Sequence, residues 1–184
     1  GSTDATASSD VNDSAATSGV SIASDIQAPT SGDIASIKIV VGSVASGDTL
    51  EIGADSVTLD GSDANGSNLT VGTITGVDYS YAASSDTLTL TKNGGGNFTA
   101  ADVDDIVSGI TFKTTATEDA GTRTFAISYV DDAGNEGTAA TQTLNVDTSA
   151  PDAVDLASGG STDATASSDV NDSAATSGVS IASD

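Results

Sequence analysis

An all-β antiparallel sandwich with one short helix is predicted by three features of this sequence. Short runs of alternating apolar and polar residues recur through its middle. Clusters of Gly, Asp, Asn and Ser separate these runs at turn-like intervals. One stretch alone, near residues 99–109, changes from a period of two to helical spacing.

In chain order, Ile34, Ile37, Ile39 and Val41 mark a first strand of the central region, and Leu50 and Ile52 a second. Val57 and Leu59 alternate with polar neighbours in a third. Gly61 to Gly66 reads as a loop, because Gly, Asn and Asp tolerate positive φ. Val77, Tyr79 and Tyr81 share one face of the next strand, and Thr87-Leu88-Thr89-Leu90-Thr91 alternates strictly. The run Asn93-Gly94-Gly95-Gly96-Asn97 is expected to be a loop leading into the helix. Thr99 is placed as N-cap with Asp102 three residues on, a capping box with Asp in place of Glu. Phe98 and Val103 form the hydrophobic staple around it. Val103, Ile106, Val107 and Ile110 give one apolar stripe, expected to close an open side of the sandwich, and Gly109 ends the helix. Strand residues follow at Ile110–Lys113, then at Phe125, Ile127 and Tyr129, and last at Leu144 and Val146. About seven short strands at this spacing predict an Ig-like antiparallel β-sandwich with Greek-key connections. A parallel β-solenoid would need self-similarity at about 20–30 residues, and none is present within the central region.

The chain repeats itself at longer range. Residues 1–25 and 160–184 are the same 25 letters, an offset of 159. The simplest reading is a tandem array of period 159, sampled over slightly more than one unit. A deliberate duplication is the other. Within the segment 21 of 25 residues are Ala, Ser, Thr, Gly or Asp, which reads as a linker. Val11, Val20 and Ile22 are spaced as a weak strand would place them, so linker and edge strand both stay open. Residues 1–25 are taken as the N-terminal part of the unit, 26–150 as the sandwich and 151–184 as the start of the next unit.

Composition excludes many functions. Asp and Glu number 27 against 4 Lys and Arg, a formal net charge of −23, and there is no His, Cys, Met or Trp. Zinc sites of Cys or His, thiol chemistry, Ser-His-Asp triads and haem ligation all lack their residues. Four dispersed cations cannot neutralise a nucleic-acid backbone, and an anionic membrane would repel the surface. No apolar run approaches the ~20 residues of a membrane span, and no segment reads as a signal peptide, so any export address is expected elsewhere in a longer chain. Adjacent carboxylates such as Asp104-Asp105 do not face each other across a cleft, so no enzyme is expected.

Oxygen donors without nitrogen or sulfur ligands select hard cations, Ca²⁺ first. Three clusters are candidates: Asp10, Asn12 and Asp13, repeated as Asp169, Asn171 and Asp172; Asp131, Asp132, Asn135 and Glu136; and Asp147 with Asp152. Six to eight oxygens are wanted, so two clusters meeting at a unit junction would serve. The competing reading is that these side chains solvate loops and cap turns. An EF-hand is absent, because Gly61 and Gly72 fall where its first and twelfth ligands belong. The Gly94–Gly96 run lacks the Asp and the repetition of a Ca²⁺ nonapeptide.

The stretch from Thr122 to Gly137, continuing from Leu144 through Val146-Asp147-Thr148-Ser149-Ala150-Pro151, resembles the end of a bacterial Ig-like repeat from the stalks of giant RTX adhesins. Ile74–Phe112, with its "FTAADVDDIVSGITF" helix, is similar to a cadherin-like variety of those repeats, and the resemblance spans about residues 34–156. Asp10-Val11-Asn12-Asp13 is similar to part of the cadherin linker motif. The resemblance implies an extender secreted by a type I system to the bacterial cell surface. It holds a distal ligand-binding domain outward for adhesion or biofilm formation. Its partners are neighbouring repeats of the same chain, and it is monomeric in solution. Ca²⁺ stiffens the junctions, with Asp131, Asp132, Asn135, Glu136, Asp147 and Asp152 as ligands, and the unit starts near Ala150 or Pro151. Two other classes compete. A glycan- or protein-binding module would need an exposed aromatic or Arg cluster, for which Tyr79, Tyr81 and Arg123 are available. An S-layer or matrix subunit would self-associate in Ca²⁺.

Overall fold

The computed structural model describes residues 6–12, 18–23, 33–59, 61–115 and 120–147. The chain divides into two units, Gly1–Ser149 and Ala150–Asp184, and every described residue lies in the first. Its strands are β1 (Thr6–Asn12), β2 (Val20–Ser21), β3 (Ile34–Gly42), β4 (Asp48–Ile52), β5 (Asp55–Thr58), β6 (Ala64–Val71), β7 (Ile74–Ala82), β8 (Thr87–Lys92), β9 (Ile110–Thr114), β10 (Ala120–Asp131) and β11 (Ala140–Asp147); the helix α1 is Ala100–Ser108.

Two sheets face each other. Six antiparallel strands run in the order β11-β10-β3-β8-β7-β6, and β1 lies parallel on the outer side of β11. The second sheet runs β2-β9-β4-β5, also antiparallel. Within the larger sheet, β3-β8-β7-β6 is a Greek key whose long connection passes through β4 and β5 in the smaller one. The predicted all-β sandwich with one helix is what the chain forms, with eleven described strands rather than about seven.

Period-two patterning explains which faces are buried. Ile37, Ile39 and Val41 of β3, Leu88 and Leu90 of β8, Val77, Tyr79 and Tyr81 of β7, and Phe125 and Ile127 of β10 all point inward. Leu50, Ile52, Val57 and Phe112 meet them from the smaller sheet. Fully burying each such side chain stabilises the fold by roughly 1.5–3 kcal/mol. Phe112 and Phe125 pack edge to face across the gap, with centroids 5.9 Å apart.

Helix α1 forms as its sequence requires. Asp102 N donates to Thr99 Oγ1, and Thr99 N donates to Asp102 Oδ2, closing the capping box. Nine residues are too few for an isolated helix in water, so packing must hold it. Val103, Ile106 and Val107 are fully buried, beside Phe98 and Ile110. At its C-terminal end Gly109 meets the β6–β7 turn backbone to backbone: a Cβ on Gly109 would lie 2.5 Å from the Gly72 nitrogen. Gly72 itself has φ +60°, so glycine is required on both sides of this contact.

Two details depart from the sequence reading. Gly61–Gly66 is not all loop, since Ala64, Asn65 and Gly66 begin β6. This strand pairs with β7 through two register shifts and buries only Val71, so backbone pairing sustains it without an apolar pattern. Arg123, read as available for binding, is buried with Asp48. Arg123 Nε donates to Asp48 Oδ2 at 2.5 Å, tying β10 of one sheet to β4 of the other. Both residues sit two positions before the apolar residues of their strands, Asp48 before Leu50 and Arg123 before Phe125, and therefore point inward with them.

Breaking a buried ion pair on one side leaves an unbalanced charge, which typically costs about 3–5 kcal/mol. Arg123→Met is therefore expected to lower unfolding stability by that amount in urea titrations, and Asp48→Leu combined with it to recover most of the loss. Tyr129 Oη is buried without a hydrogen-bond partner among the described residues. Burial, reinforced by Asp104, pushes its pKa up to about 12. Its contribution is present below pH 10 and lost as pH rises through about 12, because the unfolded chain ionises first. Tyr129→Phe should keep or raise the Tm at neutral pH and flatten this alkaline loss.

Candidate functional site

The loop after β10 holds four of the residues assigned to Ca²⁺. Strand β10 ends in a register shift between Val130 and Asp131, and Gly134 at φ +84° lets the chain turn back. Asp131 N donates to Asn135 O, and Gly134 N to Asp131 O. The Asp131 carboxylate accepts from Asn135 N at 2.8 Å and from Asn135 Nδ2 at 3.0 and 3.3 Å. These donors, the Asn135 side chain foremost, hold its pKa below the ordinary 3.8. Val130 and Glu136 then bridge, which returns the chain against β10.

Glu136 reaches across two strands. Its carboxylate accepts from Ser128 Oγ at 2.6 Å and from Lys38 Nζ at 2.9 and 3.2 Å. Ser128 and Lys38 are register partners on β10 and β3, so one side chain clamps both. Ser128 first and Lys38 second lower its pKa from 4.5. Asp132 Oδ2 accepts from Asn97 Nδ2 at 2.9 Å, joining this loop to the glycine-rich loop before α1. A cation here would have to displace Lys38 and the Asn135 amide. As arranged, the loop is a self-capped turn.

The remaining assigned ligands lie elsewhere. Asp147 closes β11, and the parallel register sets Asn12 beside it and Asp10 beside Asn145. Residues 10, 12 and 147 thus share one end of one edge, more than the sequence alone indicated. Asp13 and Asp152 lie outside the described residues. Among the described residues no three acidic side chains converge as a metal-holding group.

The remaining carboxylates follow the same local logic. Asp105 accepts from Thr73 N at 2.9 Å and from Thr73 Oγ1, fixing α1 to the β6–β7 turn. Asp78 accepts from Asn93 Nδ2 and from Asn68 N, where Asn68 has φ +57°. The cations are engaged as well: Lys38 with Glu136, Lys113 with Glu51, Arg123 with Asp48, and Lys92 with Asn97 O. Five of the six aromatic residues are buried, Tyr79 at 6% and Tyr81 at 2% exposure, and Tyr129 is half-buried. Among the described residues Val40 is the sole exposed large apolar side chain. No helix among them is long and apolar enough to cross a membrane. No family model, curated protein or solved structure matches the chain.

Because the pKa of Glu136 is lowered in the folded state, its stabilising effect exists above pH 4.5 and is lost as pH falls through the lowered value. Glu136→Gln is expected to reduce Tm by a few degrees at pH 7. The gap between parent and variant should close on acidification below pH 4.5, measured by calorimetry across pH 3–7. A gap that persists unchanged at pH 3 would mean that the carboxylate charge plays no part.

Proposed function

We propose that this chain is an extender repeat from the stalk of a large adhesin, secreted by a type I system and displayed outside a bacterial cell. In this role it projects a distal ligand-binding domain for attachment or biofilm growth. Its partners are neighbouring repeats, and it works as a monomer. The observation that carries the reading is the unchanged 25-residue segment recurring at an offset of 159, the mark of a unit whose copy number sets a length. The surface supports it. A spacer needs to avoid contacts, and here the aromatic residues sit inside while all four cations are engaged with oxygen acceptors. The residues a binding module would have used, Tyr79, Tyr81 and Arg123, are buried, which weighs against that alternative.

Calcium belongs to this reading at the sheet end that carries Asn12 and Asp147, with Asp13 adjacent in sequence. A net charge of −23 favours any divalent ion that can lower self-repulsion. The test is thermal unfolding in excess chelator and again in millimolar Ca²⁺, with mass followed in both. One site at a hundredfold excess over its Kd adds about 2.7 kcal/mol, or roughly 5–10 °C in Tm. A rise of that size in a monomer is the expected result. An unchanged Tm would remove calcium from the proposal, and oligomers formed with Ca²⁺ would replace the extender by a lattice subunit.

A further inference from the structure

The sequence contains two Asn-Gly pairs, Asn65-Gly66 and Asn93-Gly94. In such a pair the glycine nitrogen can attack the asparagine side-chain carbonyl, because no Cβ stands in the way. Asparagine counts among the thermolabile residues for this reason. The reaction needs an unengaged glycine amide and a backbone able to rotate, and the fold gives both to one pair.

Asn65 and Gly66 lie in β6, paired with Ser80 and Tyr79. A Cβ added to Gly66 would meet the Tyr79 ring and the Asp55 carboxylate, so this pair is packed as well as paired. Asn93 and Gly94 are exposed and follow β8 in a turn closed by Gly95 N donating to Lys92 O at 3.0 Å. Gly94 N, inside that turn, makes no backbone hydrogen bond among the described residues. Gly94, Gly95 and Gly96 stand at φ +77°, +87° and +99°, with nothing within 4 Å of where a Cβ would be.

The Asn93 side chain also sits where its alteration would be felt. Its Nδ2 donates to the two Asp78 oxygens at 2.9 and 3.1 Å. Asp78 Oδ1 accepts in addition from Asn68 N at 2.7 Å. There β6 shifts register and Asn68 has φ +57°. Asp78 thus ties the irregular part of β6 to the turn after β8.

We propose that Asn93-Gly94 is a self-modification site whose product unties the β6 edge. Gly94 N gives its proton to solvent base and bonds to Asn93 Cγ. The Cγ–Nδ2 bond then breaks, Nδ2 leaves as ammonia with a proton from water, and a succinimide ring remains. Both hydrogen bonds to Asp78 fall on the nitrogen that leaves, and a carboxylate there favours its protonated form. Water adds to one ring carbonyl and opens it to aspartate or isoaspartate at position 93. A donor to Asp78 is thereby replaced by a second carboxylate, and like charges set together repel. The inference holds whether or not the chain is an adhesin repeat.

The full 184-residue chain, sampled over time in mildly alkaline buffer, provides the test. Trypsin cuts after Lys38, Lys92 and Lys113, so the two pairs fall in separate peptides, 39–92 and 93–113. Peptide 93–113 should gain the mass of amide-to-acid conversion about tenfold faster than 39–92, since Asn65 must wait for β6 to open. In urea the two rates should converge. No conversion in 93–113, or equal rates in the folded chain, would overturn the site. The gain should vanish in Asn93→Gln; if it persists, Asn97 is the reacting residue and the proposal is wrong. The coupling to β6 is read from hydrogen exchange at the Asn68 amide in two variants. Asn93→Ala only removes the donor, whereas Asn93→Asp also adds the charge. Exchange several-fold faster in Asn93→Asp is expected, and equal exchange would overturn the untying of β6.

Discussion

The sandwich depends on a buried charge pair that crosses it. Asp48 and Arg123 are the only charged side chains fully withdrawn from water among those described, and they belong to opposite sheets. Their attraction must offset the loss of hydration, which is possible only if the remaining hydrogen-bonding capacity is satisfied. Asp48 meets that requirement through its surroundings. Ala45 N donates to its carboxylate at 2.8 Å, and Leu59 N donates to its carbonyl, so the pair also fixes the turn before β4 and the end of β5. An apolar pair would tolerate sliding of one sheet on the other. Two charges with directional partners do not, and we regard this as the register lock of a core otherwise made of aliphatic and aromatic side chains.

Around that lock the carboxylates divide by location. Those near the surface, on loops, on α1 or on β7, accept bonds from nearby amides and hydroxyls: Asp131 from Asn135, Asp105 from Thr73, Asp78 from Asn93, and Asp63 from Ala83. Each replaces water for a backbone or side-chain donor that a loop would otherwise leave exposed. A chain so rich in Asp and so poor in Lys and Arg can thus use its acid residues as local structure. The same pattern holds in the loop at Asp131–Glu136, where Asn135, Ser128 and Lys38 donate to the carboxylates.

How much of this was legible beforehand varied with the kind of signal. The strands β3, β7, β8 and β10 and the helix α1 were readable because alternation, capping and stripe spacing all pointed the same way. Strand β6 was not, because Ala64-Asn65-Gly66-Ser67-Asn68 carries no apolar pattern and is held by backbone pairing at an irregular edge. Strand β1 shares that difficulty, its composition being that of a linker. The Asp48–Arg123 pair was visible in principle: each charge stands two residues before a buried residue in an alternating strand, and the signs are opposite. What no periodicity could supply was the partner strand. The candidate ligands had the reverse problem. Their clustering in sequence was plain, yet whether a carboxylate turns outward or caps its own loop is settled by donors such as Lys38 and Asn97, which arrive from distant segments.

The parallel pairing of β1 with β11 has a mechanical side. These strands lie toward the two ends of the unit and run in the same direction along seven matched residue pairs. Tension applied through the chain on either side pulls them past one another along their length. Load then falls on the whole row of bonds together, as in a lap joint, whereas antiparallel ends pulled apart would open one bond at a time like a zip. A unit closed in this way resists stretching through its weakest-looking strand.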